Sequence, residues 1–295
     1  MLSPRAYAAA MRSWAALPVN YSSRFWLFAP LALLLALAIW AMGYWWIVSG
    51  AAEKKLTAMN GHEALPGITV SYASKSISGF PFNLDIVFTG FVVEGQGAHG
   101  PFRWSSEKFA LHRLTYGPVQ DFYEAAGNQT LTWTDGAGKT HALKFLPGAL
   151  RASIVGDRQG LARFDLVLVA AGGSDSDGSP FTMNGAQLHL RRDPKADALD
   201  LMVKADDVTA KQDIARLFGT HIKSLTLYAT LTQGSAFAPL LAGRQSWAEA
   251  SAAWRAKGGG VTIGPVAIAS SGVNLSANAF ADSGDDLRGL LDPLY

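Results

Sequence analysis

Six histidines, His62, His99, His112, His141, His189 and His221, are the side chains of this sequence best suited to proton transfer or metal ligation. Their spacing serves neither. No pair forms H-x-x-x-H or H-E-x-x-H, the pattern that sets two imidazoles on one helix face for zinc. His112, His141 and His189 fall in alternating, strand-like stretches and read as surface or hydrogen-bonded histidines. Cysteine is absent, which excludes disulfides, thiolate zinc sites, iron–sulfur clusters and cysteine nucleophiles. Asp175-x-Asp177-Gly178 has the look of a calcium loop. Counted from Asp175, however, an EF-hand needs Gly at the sixth position and Glu at the twelfth, where Pro180 and Ala186 stand. The acidic pairs Asp206-Asp207 and Asp285-Asp286 read as turn and cap residues. No G-x-S-x-G elbow, P-loop or dinucleotide-binding glycine pattern is present. The expectation is a protein that is not an enzyme, with no cofactor and no metal.

What the sequence supplies in place of catalytic groups is bulky apolar side chains. Phe80, Phe82, Phe88, Trp104, Trp247 and Trp254 are the candidates for lining an apolar groove, with Phe91 and Phe102 in the same set, since lipid-binding sites are concave and mostly apolar. The same residue types also build an ordinary core, and both readings stay open. Within the stretch SGFPFNLDIVFTG, Pro81 cannot donate to a sheet ladder and belongs at a strand's first residue or on an edge. Strand initiation and core packing account for it, with Phe80 expected to be buried.

These side chains need elements to hold them. Residues Phe25 to Val48 form 24 consecutive positions without a charge. As a helix they extend about 36 Å at ~1.5 Å per residue, enough to cross a hydrocarbon core of about 30 Å. Trp26 lies near one end and Tyr44, Trp45 and Trp46 near the other, the pattern of interfacial aromatic belts. Arg5, Arg12 and Arg24 precede the span with no acid among residues 1–24. The positive-inside rule therefore places residues 1–24 in the cytoplasm and residues 49–295 across the membrane, behind a single-pass anchor. Small residues at Ser49-Gly50-Ala51-Ala52 would suit signal cleavage, but the apolar stretch exceeds a signal-peptide core of about 7–15 residues.

The remaining residues hold 22 basic against 23 acidic side chains, so the net charge of +2 resides in the basic tail. A nearly neutral body carries no electrostatic footprint for nucleic acid. From residue 53 on, after a short helical continuation, the chain alternates with period two. This predicts strands at 68–78, 82–95, 101–115, 129–134, 139–146, 150–156, 161–170, 181–191, 197–204, 221–232, 260–269 and 272–280. Asp135-Gly136-Ala137-Gly138 forms a hairpin tip. Two capping boxes, Thr209-Ala210-Lys211-Gln212 and Ser246-Trp247-Ala248-Glu249, predict helices. The second runs to Lys257, before Gly258-Gly259-Gly260, and puts Trp247 and Trp254 on one face against the sheet. Gly172–Pro180 reads as a flexible insertion. The fold class is mainly β with a few helices (α+β): antiparallel, strongly curved sheet packed with one or two helices, after one N-terminal transmembrane helix. Residues 53–295 form the body.

Gly79-Phe80-Pro81-Phe82 before a strand, the Trp104 strand leading to Tyr116-Gly117-Pro118, and late Trp254-Arg255-Ala256-Lys257-Gly258-Gly259 follow one another in this order. A Gly264-Pro265 strand pair and Leu275-Ser276-Ala277 come after them. Over most of residues 25–292 the sequence resembles the alphaproteobacterial envelope family called domain of unknown function 2125. The resemblance implies a bacterial envelope protein anchored in the inner membrane with its bulk in the periplasm, and transfers no catalytic residues. GFPF-like openings also occur in membrane-anchored lipid-handling families of the AsmA-like and tubular lipid-binding kinds, an analogy of fold alone. Two functions follow as expectations: an anchored protein that binds or handles a lipid or other amphiphile in cell-envelope maintenance, or an anchored scaffold for envelope assembly with no ligand.

Overall fold

Period-two alternation over runs of 10 residues and more dictates long strands with one apolar and one polar face. The structure, a computed structural model, describes residues 25–97, 100–115, 120–157, 160–210, 220–270 and 274–278, and of residues 25–27 and 274–278 the backbone only. Helix α1, Phe25–Met59, opens it. The strands are β1 (His62–Leu65), β2 (Ile68–Ser71), β3 (Ser74–Ser78), β4 (Asn83–Gln96), β5 (Pro101–Leu114), β6 (Gln120–Thr134), β7 (Thr140–Asp157), β8 (Gly160–Asp175), β9 (Pro180–Arg192), β10 (Ala198–Ala210) and β11 (His221–Thr232). A one-turn 3-10 segment (Gly234–Phe237), α2 (Ala238–Leu241) and α3 (Trp247–Ala256) intervene before β12 (Val261–Ser270) and β13 (Asn274–Asn278).

All thirteen strands among the described residues belong to one antiparallel sheet. From β4 to β13 each pairs with its sequence neighbours; β3 lies off this path, beside β4. The sheet is curled and does not close on itself. Two compact units divide the chain, residues Met1–Ile47 and Val48–Tyr295.

In the first unit, the α1 residues up to Ile47 leave Leu33, Leu34, Ile39, Trp40 and Ile47 exposed on all sides. A helix apolar all round is stable in hydrocarbon and not in water. It is long and apolar enough to cross a membrane.

In the second unit the strands run longer than the sequence pattern indicates. The segments 139–146 and 150–156 are a single strand, β7, with Pro147 inside it. Opposite Pro147, β6 carries a register shift between Ala125 and Gln129, so no ladder bond is demanded of the missing N–H. The stretch 68–78 is instead split in two: β2 pairs with residues 92–95 of β4 and β3 with residues 85–89. The Gly172–Pro180 insertion is a strand end and a tight turn. There the Asp175 carboxylate accepts from the backbone of Asp177 (2.9 Å) and Ser179 (2.8 Å). Asp135 does the same for Ala137 (3.0 Å) and Lys139 (2.8 Å). Each hairpin closes with a glycine at positive φ, Gly138 at 82° and Gly178 at 77°, a conformation a side chain disfavours. Asp175 thus serves a turn, which explains its calcium-like spacing.

Two further expectations are corrected. Thr209 and Ala210 end β10, and the rest of that proposed helix, residues 211–219, lies outside the described residues. Asp206-Asp207 also lies in β10, with Asp207 at φ 56° accepting from Asn184. Asp285-Asp286 falls outside the described residues. The Ser246 box forms as written, Ser246 and Glu249 each bonding the other's backbone N–H.

Candidate functional site

Because residues paired across antiparallel strands share a face, the register assigns every side chain. One row reads Ile86, Leu111, Tyr123, Ala152, Leu166, Leu188, Val203, Leu227 and Val266 from β4 to β12. The next reads Phe88, Phe109, Ala125, Leu150, Leu168, Ala186, Ala205, Leu225 and Ile268. This face is apolar across nine consecutive strands, too broad for a single helix to cover.

At its N-terminal end it is covered by the last turns of α1. Val48, Ala52 and Leu56, spaced four apart on one side of the helix, pack against Leu84, Ile86, Phe88 and Phe91. Polar contacts pin that turn: the Tyr72 hydroxyl donates to the Leu56 carbonyl (2.9 Å), and Lys75 reaches Glu53 (2.9 Å) and Thr57 (2.8 Å). At the other end α3 and the Gly234–Phe237 turn cover Leu199, with Ala250 fully buried and Phe237 and Trp254 nearly so. The Trp254 indole donates to the Thr232 carbonyl (2.7 Å). A Cβ on Gly259 would lie 2.1 Å from that indole, which is why a glycine follows Trp254 at this spacing.

Between these ends the apolar face opens into a hollow whose lining residues run from β5 to β10. A groove of about 680 Å³ runs there, walled by Trp104, Phe109, Phe145, Leu150, Phe164, Leu166, Leu168 and Leu188. Arg151 and Gln187 border it by sequence alternation, but their side chains belong to the polar face, Arg151 with Glu124 and Gln187 with His189. A second hollow of similar size, about 700 Å³, holds Asp157, Arg192, Asp193 and Asp197. Its charges satisfy each other and nearby turns: Arg192 pairs with Asp157, and Asp197 accepts from the Ser235 hydroxyl (2.7 Å).

A charged pair interrupts the apolar face. Register aligns Leu84, Arg113, Asp121, Ile154 and Phe164. Arg113 grips the buried Asp121 carboxylate through Nε and Nη2, both at 2.5 Å. The Tyr123 hydroxyl, in the groove wall, lies 3.4 Å from the same carboxylate. Burial above all, helped by the Asp121 charge and opposed by Arg113, pushes the Tyr123 phenol up to about 12, so it stays a donor. The alternation carried this signal, since Arg113 and Asp121 fall on the apolar phase of β5 and β6, yet chemistry-bearing motifs do not include it.

Of the side chains singled out by type, Trp104 lines the groove and Phe88 is buried in the α1-covered end. Trp254 is core at the opposite end, whereas Trp247 is 51% exposed, stacked on Phe237. Phe80 and Phe82 are 50% and 58% exposed, just before β4, and are not in the groove wall. Burial of Phe80 is therefore corrected: Asn83 N–H donates to Gly79 O (2.8 Å), and this turn carries both rings outward ahead of β4. A Cβ on Gly79 would sit 2.7 Å from Asn83 O.

Four histidines are paired with carboxylates: on the polar face His112 with Asp85 and His189 with Asp165, and elsewhere His141 with Asp135, each at 2.7 Å, and His221 with Asp207 at 2.5 Å. Ser153, Asp165 and His189 adjoin, but Ser153 donates to the carboxylate (3.1 Å) and not to the imidazole. An acyl-transfer triad needs histidine between serine and acid. Among the described residues no three His, Asp or Glu side chains converge to hold a metal ion.

Fold and groove together define a β-rich body with one open apolar face, preceded in the chain by an apolar helix long enough to span a membrane. The chain belongs to a family described as uncharacterized protein conserved in bacteria, domain of unknown function 2125, whose profile matches residues 45–281. Comparisons with curated proteins and with solved structures give no match.

Proposed function

We propose that this protein is a non-enzymatic, inner-membrane-anchored binding protein whose periplasmic body holds a long-chain lipid or other amphiphile in cell-envelope maintenance. The observation that carries the reading is the groove of about 680 Å³ left bare on an apolar face whose two ends are covered. That volume lies within the ~300–1,000 Å³ of small-molecule sites. About ten methylenes laid on it contribute roughly 8 kcal/mol, against an association cost of at least ~4 kcal/mol. A long chain therefore binds usefully, and a short one does not.

The test is lipid analysis of the full chain purified without detergent exchange, beside a Leu166→Asp variant that puts a charge in the groove wall. The expected outcome is stoichiometric acyl lipid on the native protein and its loss from the variant. Equal lipid on both, or none on either, contradicts the reading. In the latter case a defined protein partner recovered by crosslinking in membranes favours the scaffold. A reporter fused after Tyr295 is expected to be active only outside the cytoplasm.

A further inference from the structure

We infer that Arg113 and Tyr123 form a head-group site that fixes the direction of the bound chain and selects an acyl head, a carboxylate or ester carbonyl, over a cationic one. The inference rests on the groove reading and specifies its ligand. Stability does not account for the pair: replacing a buried ion pair by apolar side chains of similar size is commonly neutral or stabilising, and every other position in these central rows is apolar. The Asp121 carboxylate, 5% exposed, is already occupied by Nε and Nη2 of Arg113 and the Tyr123 hydroxyl. Half of the Arg113 side chain remains exposed, and its Nη1 amino group points no hydrogen bond at Asp121. What the cluster offers outward is donors: Nη1 of Arg113 and the long, weakly engaged Tyr123 hydroxyl. Donors beside an apolar wall recognise an oxygen acceptor at the end of a hydrocarbon chain. Asp121 has the complementary part: it holds the guanidinium in place, and with both of its oxygens taken by Arg113 it offers a cationic head no uncancelled charge.

The site's position gives the direction. Tyr123 is part of the groove wall, and Asp121 pairs across the ladder with Ile154, also in the wall. A head held here directs its chain over Leu166 and Leu168 towards Phe145, at the far side of the groove.

Binding of radiolabelled dodecanoate, methyl dodecanoate and dodecyltrimethylammonium to the full chain in nanodiscs, with empty discs subtracted, tests this. The native protein is expected to take the first two about tenfold more tightly than the third, as one or two hydrogen bonds to a charged group allow. Tyr123→Phe and the charge-neutral pair Arg113→Gln with Asp121→Asn should erase most of that preference and leave the ammonium chain unaffected. Dodecanoate held well above its ester identifies a carboxylate head; equal binding of the two identifies the carbonyl. Three ligands bound alike, with variants that change nothing, overturn the head-group site and leave the groove intact. No binding above empty discs overturns the groove and the site together.

Discussion

The ends and the middle of the apolar face are built from the same residue types but differ in what covers them. At the ends, Phe88 (4% exposed) and Leu199 (5% exposed) are closed over by α1 and α3. In the middle, Leu166 and Phe164 have the same alternation and the same apolar neighbours but line the open groove. The contrast shows that binary pattern decides which face is apolar, while helix placement decides which part of that face becomes core and which becomes groove.

The largest expected effects lie at the covered ends. Phe88→Ala or Trp254→Ala should each cost about 3–5 kcal/mol of folding stability, the usual price of an aromatic cavity, read from chemical denaturation. Leu166→Ala in the middle should cost less than about 1.5 kcal/mol and impair lipid retention instead. A loss at Leu166 equal to that at Phe88 would mean that the middle is core as well.

Next comes the polar interruption. Arg113→Leu alone strands the buried Asp121 carboxylate and should cost about 2–4 kcal/mol. Adding Asp121→Leu should restore most of it, and a double variant as unstable as the single would show that the pair itself holds the sheet. Smaller still is Ser246→Ala, which removes half of the capping box on α3 and should cost about 1 kcal/mol.

The polar face yields the smallest effect. Burial, the largest influence on Asp165, pushes its carboxyl up, but hydrogen bonds from His189 and Ser153 and the Arg163 charge outweigh it, leaving it below the usual range. A lowered folded value means that this stabilisation is complete above the unfolded value of about 3.9 and is lost as pH falls through the folded one. Denaturation midpoints should therefore fall with acidification below about pH 4. Asp165→Asn should flatten that dependence without affecting lipid retention.

Much of the fold was legible in the sequence because alternation, turn glycines and capping boxes act locally. The 82–95 and 221–232 strands, the Asp135 hairpin and the Ser246 helix all stand where residue types put them. Pro147 misled, because its tolerance depends on a register shift in the neighbouring strand, and Thr209 misled, because β pairing overrides a short capping signal. The groove was legible only as a composition. Trp104 and Trp254 look alike in sequence, and nothing local tells that α3 packs Trp254 into core while Trp104 faces the groove. Arg113 and Asp121 went unread because their meaning comes from cross-strand register, with residues 114–120 between them.

The most direct measurement places a photo-crosslinking amino acid at position 166 or 167 of the full chain in living cells. Leu166 belongs to the apolar face and Val167 to the opposite one, paired with Arg151 and Gln187. Acyl-lipid adducts at 166 and none at 167 are expected. Lipid adducts from both positions alike, or from neither, would contradict a groove that holds a chain.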